Sequence, residues 1–131
     1  MFNKQNLHSS LADLGISSPG DIFDQLSEVY NESTRYYHTV QHISECLKHF
    51  SAYRQDAQYP AEIEVALWFH DAVYNTTQSN NEEQSAEWAQ RYLTEKAVDP
   101  QSVARIVEMI IATKTHQSQS VDSALMVDID L

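Results

Sequence analysis

The most constraining stretch of this chain is an apolar run that ends in a histidine and an aspartate. Residues 63–69 are apolar except for Glu64, and His70 and Asp71 follow directly. Such a run leaves almost no polar face, so we expect the segment to be buried, whether it forms a helix or a strand. An imidazole and a carboxylate beside it cost free energy unless a partner satisfies them. The pair therefore indicates either a divalent metal ion or an ordinary hydrogen-bonded or ion-paired contact.

Turn-forming residues are scarce, and this scarcity indicates the fold class. The 131 residues include only two glycines and three prolines, too few for the many hairpins of an all-β fold. Hydrophobic residues make up 42% of the chain and charged residues 21%, as in globular domains. We therefore expect an all-α bundle with a single domain over residues 1–131.

Charge and cysteine content restrict the partners and the compartment. A net charge of −11 argues against a nucleic-acid polymer or an anionic membrane as partner, because both need clustered basic residues. A small phosphorylated substrate stays compatible, since a metal ion can supply local positive charge. The single cysteine, Cys46, excludes an intrachain disulfide and favours a reduced, cytoplasmic protein. No stretch resembles a membrane span or a signal peptide. The oligomeric state is open, with a homodimer among the alternatives.

A segment rich in histidine lies upstream of the apolar run. We predict a helix from near Arg35 to Phe50, on which His38 and His42 share one face with Cβ atoms about 5–6 Å apart. His49 would lie about 10 Å further along the axis than His42. One ion therefore cannot bind all three, and we interpret His49 as a surface or packing histidine. The helices predicted along the chain cover residues 3–14, 21–31, 35–50, 61–74, 82–97 and 100–116.

Two more carboxylates, Asp128 and Asp130, stand in the last apolar run, residues 121–131. Their burial would be costly without a partner, as for the first pair. Imidazole and carboxylate ligands suit Mn, Fe, Zn, Ni or Co, and a carboxylate-rich site also suits Mg. In helical bundles such groups converge in the core, where metal sites are commonly built.

Five short blocks of sequence follow one another from about residue 30 to the end. The blocks are Arg35, Tyr37, His38, His42 and Ile43; Trp68 through Tyr74; Asn81, Glu82, Ser85 and Ala86; Thr113, Lys114 and His116; and Asp128, Asp130 and Leu131. Together they resemble the HD superfamily of metal-dependent phosphohydrolases, and within it a group of small bacterial proteins. The resemblance implies an all-helical HD fold that binds a divalent metal ion, whether Mn, Co, Ni, Mg, Fe or Zn.

The resemblance also implies which residues bind the metal. In related members the ligand histidine precedes an isoleucine, which favours His42 over His38. The ligand aspartate directly precedes a leucine or an Arg-Leu pair, which favours Asp130 over Asp128. The implied metal ligands are His42, His70, Asp71 and Asp130.

The other block residues would take roles around this centre. Asp71 would also orient or deprotonate the attacking water, and Glu82 or His116 would protonate the leaving group. Arg35 and Lys114 would supply positive charge for a substrate phosphate. The residues implied to contact substrate or to support the ligands are His38, Arg35, Lys114 and Asp128.

The implied reaction is hydrolysis of a small phosphorylated molecule such as a nucleotide, in which a metal-activated water attacks phosphorus. Two alternatives stay open. One is a di-iron, oxygenase-like HD protein in which His38 and His116 hold a second ion. The other is a non-catalytic, metal-stabilised binding module. Members of the group usually continue beyond the last block, so we expect this sequence to be a short member or part of a longer chain.

Overall fold

The computed structural model describes residues 2–32, 35, 39–75, 77–115, 117 and 120–130. Within them the chain forms seven α-helices and no strand, which confirms the predicted all-α class. The helices are α1 Lys4–Asp13, α2 Ile22–Tyr30, α3 Val40–Tyr53, α4 Pro60–Phe69, α5 Asn81–Glu95, α6 Pro100–Thr115 and α7 Val121–Asp130. In the described part of the chain, none of the helices combines the length and the apolar character needed to cross a bilayer.

Helix α4 is the centre of the bundle. It contacts α1, α3, α5, α6 and α7. A helix that is apolar on all sides has to be covered on all sides, and the neighbouring helices provide that cover. The apolar run of the sequence is therefore the core helix, as its composition predicted. Its residues without exposed surface are Ile63, Val65, Ala66, Leu67 and Phe69.

The helix predicted over residues 61–74 is shorter than expected, and its true end positions the dyad. Helix α4 ends at Phe69, with His70 as its C-cap residue and Asp71 in the turn that follows. The Ala72 N–H donates to the Phe69 carbonyl at 3.0 Å and closes this turn. The dyad therefore lies at the C-terminal end of the central helix and not within it.

The helix predicted from Arg35 also begins later than expected. Helix α3 starts at Val40, and its N-cap residue Thr39 has an extended backbone with φ −113° and ψ 175°. Arg35 lies before this helix and is held by tertiary hydrogen bonds. The predicted placement of His38 and His42 on one helical face stays a prediction, because His38 lies outside the described residues.

A buried carboxylate anchors the start of α7 to the segment before α4. Asp122 accepts hydrogen bonds from the backbone N–H groups of Gln58 at 2.7 Å and Tyr59 at 2.8 Å. Charge-assisted hydrogen bonds of this kind are shorter and stronger than neutral ones. Since α7 also carries Asp130, the anchor helps to fix this helix and its last residue relative to α4.

Candidate metal centre

Three helices bring two histidines and two aspartates to one point. His42 lies in the first turn of α3, and Asp130 is the last residue of α7. The Asp130 Oδ1 atom lies 3.2 Å from His42 Nε2 and 3.0 Å from His70 Nε2. The Asp71 Oδ2 atom lies 3.5 Å from His42 Nε2 and 3.2 Å from His70 Nε2. The four residues expected as metal ligands thus converge, and their role as ligands stays a prediction.

The cluster includes a fifth group, Cys46, that the sequence analysis did not consider as a ligand. Its Sγ atom lies 3.7 Å from His42 Nε2, and the residue is 3% exposed. One donor atom from each of four residues lies within 4.8 Å of the others, and this group could hold a metal ion: His42, Cys46, His70 and Asp130. The available signal was the spacing of four residues between His42 and Cys46, which puts both side chains on one face of a helix.

The His70 ring is fixed by the end of its own helix. The residue is 1% exposed, and its Nδ1 lies 2.7 Å from the Leu67 carbonyl oxygen. With Nδ1–H donating to that carbonyl, Nε2 faces the two aspartates. Histidine ligands of metals commonly donate their second ring N–H in this way, which sets the tautomer and the ring orientation.

Other carbonyls at the end of α4 and in the turn after it accept hydrogen bonds from side chains earlier in the chain. The last carbonyls of a helix have no partner within the helix. The Tyr30 hydroxyl donates to the Trp68 carbonyl at 2.7 Å. The Arg35 guanidinium donates to the Asp71 carbonyl at 2.7 Å and to the Ala72 carbonyl at 2.8 Å. Its positive charge also suits a helix C-terminus.

The placement of Arg35 favours one of its two expected roles. Its side chain is 2% exposed, and the guanidinium lies over the rings of Tyr30 and Tyr74, 5.2 and 5.8 Å from their centroids. A guanidinium that donates to backbone carbonyls and lies over aromatic rings holds the backbone at and after the dyad in place. This position favours ligand support over contact with a substrate phosphate.

Two residues of the third block hold the loop that follows the dyad. The Ser85 hydroxyl accepts a hydrogen bond from the Val73 N–H at 2.9 Å. The Asn81 side chain accepts from the Asn75 N–H and donates to the Asn75 carbonyl, both at 3.0 Å. These contacts bind the loop to the first two turns of α5. Ser85 and Asn81 therefore help to fix the backbone that follows the dyad.

The remaining predicted site residues either are described and do not belong to the cluster, or lie outside the described residues. Asp128 is exposed, so Asp130 is the aspartate of this pair that joins the cluster. Lys114 Nζ pairs with Glu83 Oε2 at 2.8 Å, and a phosphate contact for it stays a prediction. Glu82 is half-buried in the first turn of α5, and its side chain makes no hydrogen bond or ion pair to another described residue. His116 and His38 lie outside the described residues, so their roles and a second metal ion stay predictions.

The electrostatics of the cluster show that it accommodates positive charge. Hydrogen bonds to Asp130 and then to Cys46 raise the pKa of His42 from 6.5 to about 10. Burial lowers the pKa of His70, but the charge of Asp71 and the hydrogen bond to Asp130 outweigh it, and the net shift is upward. Burial raises the pKa of Asp130, yet the two imidazoles bring it well below its usual value. These shifts favour positive charge on the two imidazoles beside the Asp130 carboxylate.

The donor set also fits a divalent ion. A tetrahedral ion with bonds of about 2.0–2.1 Å to nitrogen and oxygen separates those atoms by about 3.3 Å. The observed separations between the imidazole nitrogens and the carboxylate oxygens are 3.0 to 3.5 Å. Imidazole and carboxylate donors suit zinc and its first-row neighbours.

Comparisons with protein-family models, with curated proteins and with solved structures found no match to this chain. The relationship to the HD superfamily therefore stays a prediction from the five blocks.

The protonation of His42 leads to a prediction about pH. Its pKa is about 10 in the folded protein against 6.5 for the ordinary side chain. The protonated imidazole therefore stabilises the fold fully below pH 6.5, and this contribution is lost as the pH rises through about 10. We expect the metal-free protein to unfold at lower urea concentration at about pH 9 than at about pH 6.

The metal-loaded protein should instead unfold at higher urea concentration at about pH 9 than at about pH 6. The reason is that a metal ion binds the neutral imidazole and has to displace the proton. Calorimetric titration with Zn²⁺ in buffers of different ionisation enthalpy measures the protons released. A His42→Asn variant serves as the matched control and should show a smaller change of urea midpoint with pH. An equal midpoint at both pH values in the unmodified metal-free protein would contradict the prediction.

Proposed function

We propose that this protein is a metal-dependent phosphohydrolase that acts on a small phosphorylated molecule such as a nucleotide. The observation that carries the proposal is the convergence of two histidines and two aspartates from three helices, with nitrogen–oxygen separations of 3.0 to 3.5 Å. They are the residues that the five-block resemblance implies as ligands. We assign the protein to the cytoplasm, where a lone cysteine stays reduced.

The exposure of the cluster indicates the side from which substrate reaches it. The His70 side chain is 1% exposed, whereas those of His42 and Asp130 are each 16% exposed and that of Asp71 is 13% exposed. Substrate therefore approaches over His42 and the two aspartates, with His70 at the floor of the site. In a chain of net charge −11, an anionic substrate needs local positive charge at this opening.

The chemistry divides between the ion and the side chains. A divalent ion held by the residues of the cluster would supply a Lewis acid for a phosphoryl oxygen and would lower the pKa of a bound water. His42 and His70 bind through neutral Nε2 atoms, and the Leu67 carbonyl keeps the His70 proton on Nδ1.

The Asp71 carboxylate, which faces both imidazoles, would orient the attacking water and accept its proton. As the bond from phosphorus to the leaving oxygen breaks, Glu82 or His116 would donate a proton to that oxygen. Arg35 holds the Asp71 carbonyl, and so keeps this carboxylate in register with the ligands.

The test is a hydrolysis assay of the purified protein reloaded separately with Mn²⁺, Co²⁺, Ni²⁺, Zn²⁺, Fe²⁺ and Mg²⁺. Substrates are nucleoside mono-, di- and triphosphates and simple phosphomonoesters, and released phosphate is measured. We expect metal-dependent release, reduced at least about 100-fold by Asp71→Asn, the range typical of losing a general acid or base. The exposed Asp24 offers a matched control, since Asp24→Asn makes the same chemical change away from the cluster.

Two outcomes would count against the proposal. One is the absence of phosphate release with every metal and substrate of the panel. The other is equal activity of Asp71→Asn and Asp24→Asn. If the metal raises the melting temperature but supports no hydrolysis, the cluster is a structural site, and the non-catalytic binding module replaces the phosphohydrolase as the interpretation.

A further inference from the structure

We propose that the Cys46 thiolate is itself a ligand of the metal centre, so that the site selects zinc, cobalt or nickel over magnesium and manganese. This inference rests on the metal binding in the proposed function, but not on hydrolysis. Cys46 lies on α3 one turn after His42, and its Sγ is 3.7 Å from His42 Nε2. The residue is 3% exposed, yet its sulfur faces imidazole and carboxylate groups.

Three of the six separations between the donor atoms match those of one tetrahedral ion, and the other three are at most 4.8 Å. With a bond of about 2.3 Å to sulfur and about 2.0–2.1 Å to nitrogen, such an ion separates the two atoms by about 3.6 Å. The observed distance from Cys46 Sγ to His42 Nε2 is 3.7 Å. Asp130 Oδ1 lies 3.2 and 3.0 Å from the two imidazole nitrogens, against about 3.3 Å for such an ion. The four donors, with His70 as the fourth, all lie within 4.8 Å of one another.

Helix geometry supports the same assignment. His42 and Cys46 are four residues apart on α3, so they occupy the same face, one turn apart. A single helix thereby presents a nitrogen and a sulfur to one point, while α4 and α7 supply His70 and Asp130. The competing arrangement has Asp71 as the fourth ligand and the Cys46 thiol only as a hydrogen-bond partner of His42.

The two arrangements differ in the ion that they select. A set with two imidazoles and two carboxylates binds hard and borderline ions, whereas a thiolate shifts the preference towards softer ions such as Zn²⁺. Four protein donors fill a tetrahedral shell, so hydrolysis with Cys46 bound would need the ion to take up water as a fifth ligand. The Asp71 carboxylate would then be left to orient that water and take its proton, which is its part in the proposed function. With the thiolate as a ligand, the cluster prefers softer ions. Cys46 and Asp71 then have separate roles, since Cys46 binds the ion and Asp71 orients water.

Cobalt(II) provides a direct spectroscopic test, because a thiolate bound to Co²⁺ gives an intense sulfur-to-metal charge-transfer band in the near ultraviolet. The full chain, kept reduced and metal-free, is titrated with Co²⁺, and absorption and affinity are recorded. We expect the band in the unmodified protein and in Asp71→Asn. In Cys46→Ser we expect the band to be lost and the affinity for Co²⁺ to fall at least about tenfold, the lower end of the loss caused by removing a partner of a ligand.

Three outcomes would overturn the assignment. They are Co²⁺ binding without the band, a band that persists in Cys46→Ser, and no Co²⁺ binding at all. Because Cys46 is buried, the serine variant is checked for helix content by circular dichroism. X-ray absorption on the unmodified, zinc-loaded protein gives an answer that needs no variant. One sulfur at about 2.3 Å is expected, and a shell of only nitrogen and oxygen at about 2.0–2.1 Å would overturn the assignment.

The results also separate this inference from the proposed function. A sulfur–cobalt band in a protein that hydrolyses nothing supports Cys46 as a ligand and counts against the phosphohydrolase. Hydrolysis by a metal-loaded protein without the band supports the phosphohydrolase and counts against Cys46. Tighter binding of Mg²⁺ or Mn²⁺ than of Zn²⁺ would also contradict the thiolate ligand.

Discussion

Replacing His70 with alanine is expected to weaken metal binding more than about 100-fold and to abolish hydrolysis. The expected loss exceeds that caused by removing an outer partner of a ligand, which costs about 10–100-fold. His70 is the most deeply buried member of the cluster, and its Nε2 contacts both Asp71 Oδ2 at 3.2 Å and Asp130 Oδ1 at 3.0 Å.

The same substitution also removes positive charge from between two aspartates. In the metal-free protein, against the effect of burial, the charge of Asp71 and the hydrogen bond to Asp130 raise the pKa of His70, which favours a positive charge on its ring. With alanine at this position, the two carboxylates face each other with less compensation, and one of them is expected to take up a proton. We therefore expect the metal-free variant to melt at a lower temperature as well as to bind metal weakly.

Metal content by elemental analysis and affinity by calorimetry measure the first effect, and circular dichroism establishes that the variant is folded at the temperature used. The matched control is His49→Ala, because His49 is exposed on the same helix as His42 and contacts the Tyr53 ring. That variant should bind metal as the unmodified protein does. One metal ion per chain in a folded His70→Ala protein, with unchanged affinity, would contradict the cluster as a metal centre.

Replacing Arg35 with alanine is expected to destabilise the protein by about 3 kcal/mol, or roughly 10 °C in melting temperature for a domain of this size. The guanidinium makes two short hydrogen bonds to the carbonyls of Asp71 and Ala72. Hydrogen bonds to charged groups each contribute about 1.5–3 kcal/mol, and a buried carbonyl left without a donor costs a similar amount. The contacts with Tyr30 and Tyr74 add to the loss.

Arg35→Lys tests which of the two expected roles the arginine has. A lysine keeps the charge for a substrate phosphate, but it cannot donate to two carbonyls in the fork geometry of a guanidinium. If Arg35 supports the dyad, the lysine variant should melt at a lower temperature and bind metal more weakly. If it contacts substrate instead, KM should rise in Arg35→Ala and rise less in Arg35→Lys, while the melting temperature stays unchanged in both variants.

A control for Arg35 comes from helix α5. Arg91 is exposed, so Arg91→Ala makes the same chemical change at a surface position. Its effect on the free energy of unfolding should be within about 0.5 kcal/mol. An Arg35→Ala protein as stable as Arg91→Ala would contradict the supporting role.

Local sequence patterns were sufficient to predict the class of the fold and most residues of the candidate site. The scarcity of glycine and proline and the helical periodicities predicted an all-α chain, and the run at residues 63–69 predicted a buried segment. Apolar character is a property of each residue and its near neighbours, so it can be read without knowledge of the fold. His42, His70, Asp71 and Asp130 were chosen from ordered sequence blocks, and the structure brings these four together.

The tertiary structure alone decided how this cluster is held and which groups join it. Arg35 was expected to lie in a helix, but its hydrogen bonds reach carbonyls 36 and 37 residues away. His70 and Asp130 are 60 residues apart, and His42 and Asp130 are 88 apart. Contacts over such separations depend on how α3, α4 and α7 pack, and no local periodicity encodes that packing. The local spacing on α3 already places the Cys46 sulfur near His42, whereas only the packing of the helices brings His70 and Asp130 to the same point.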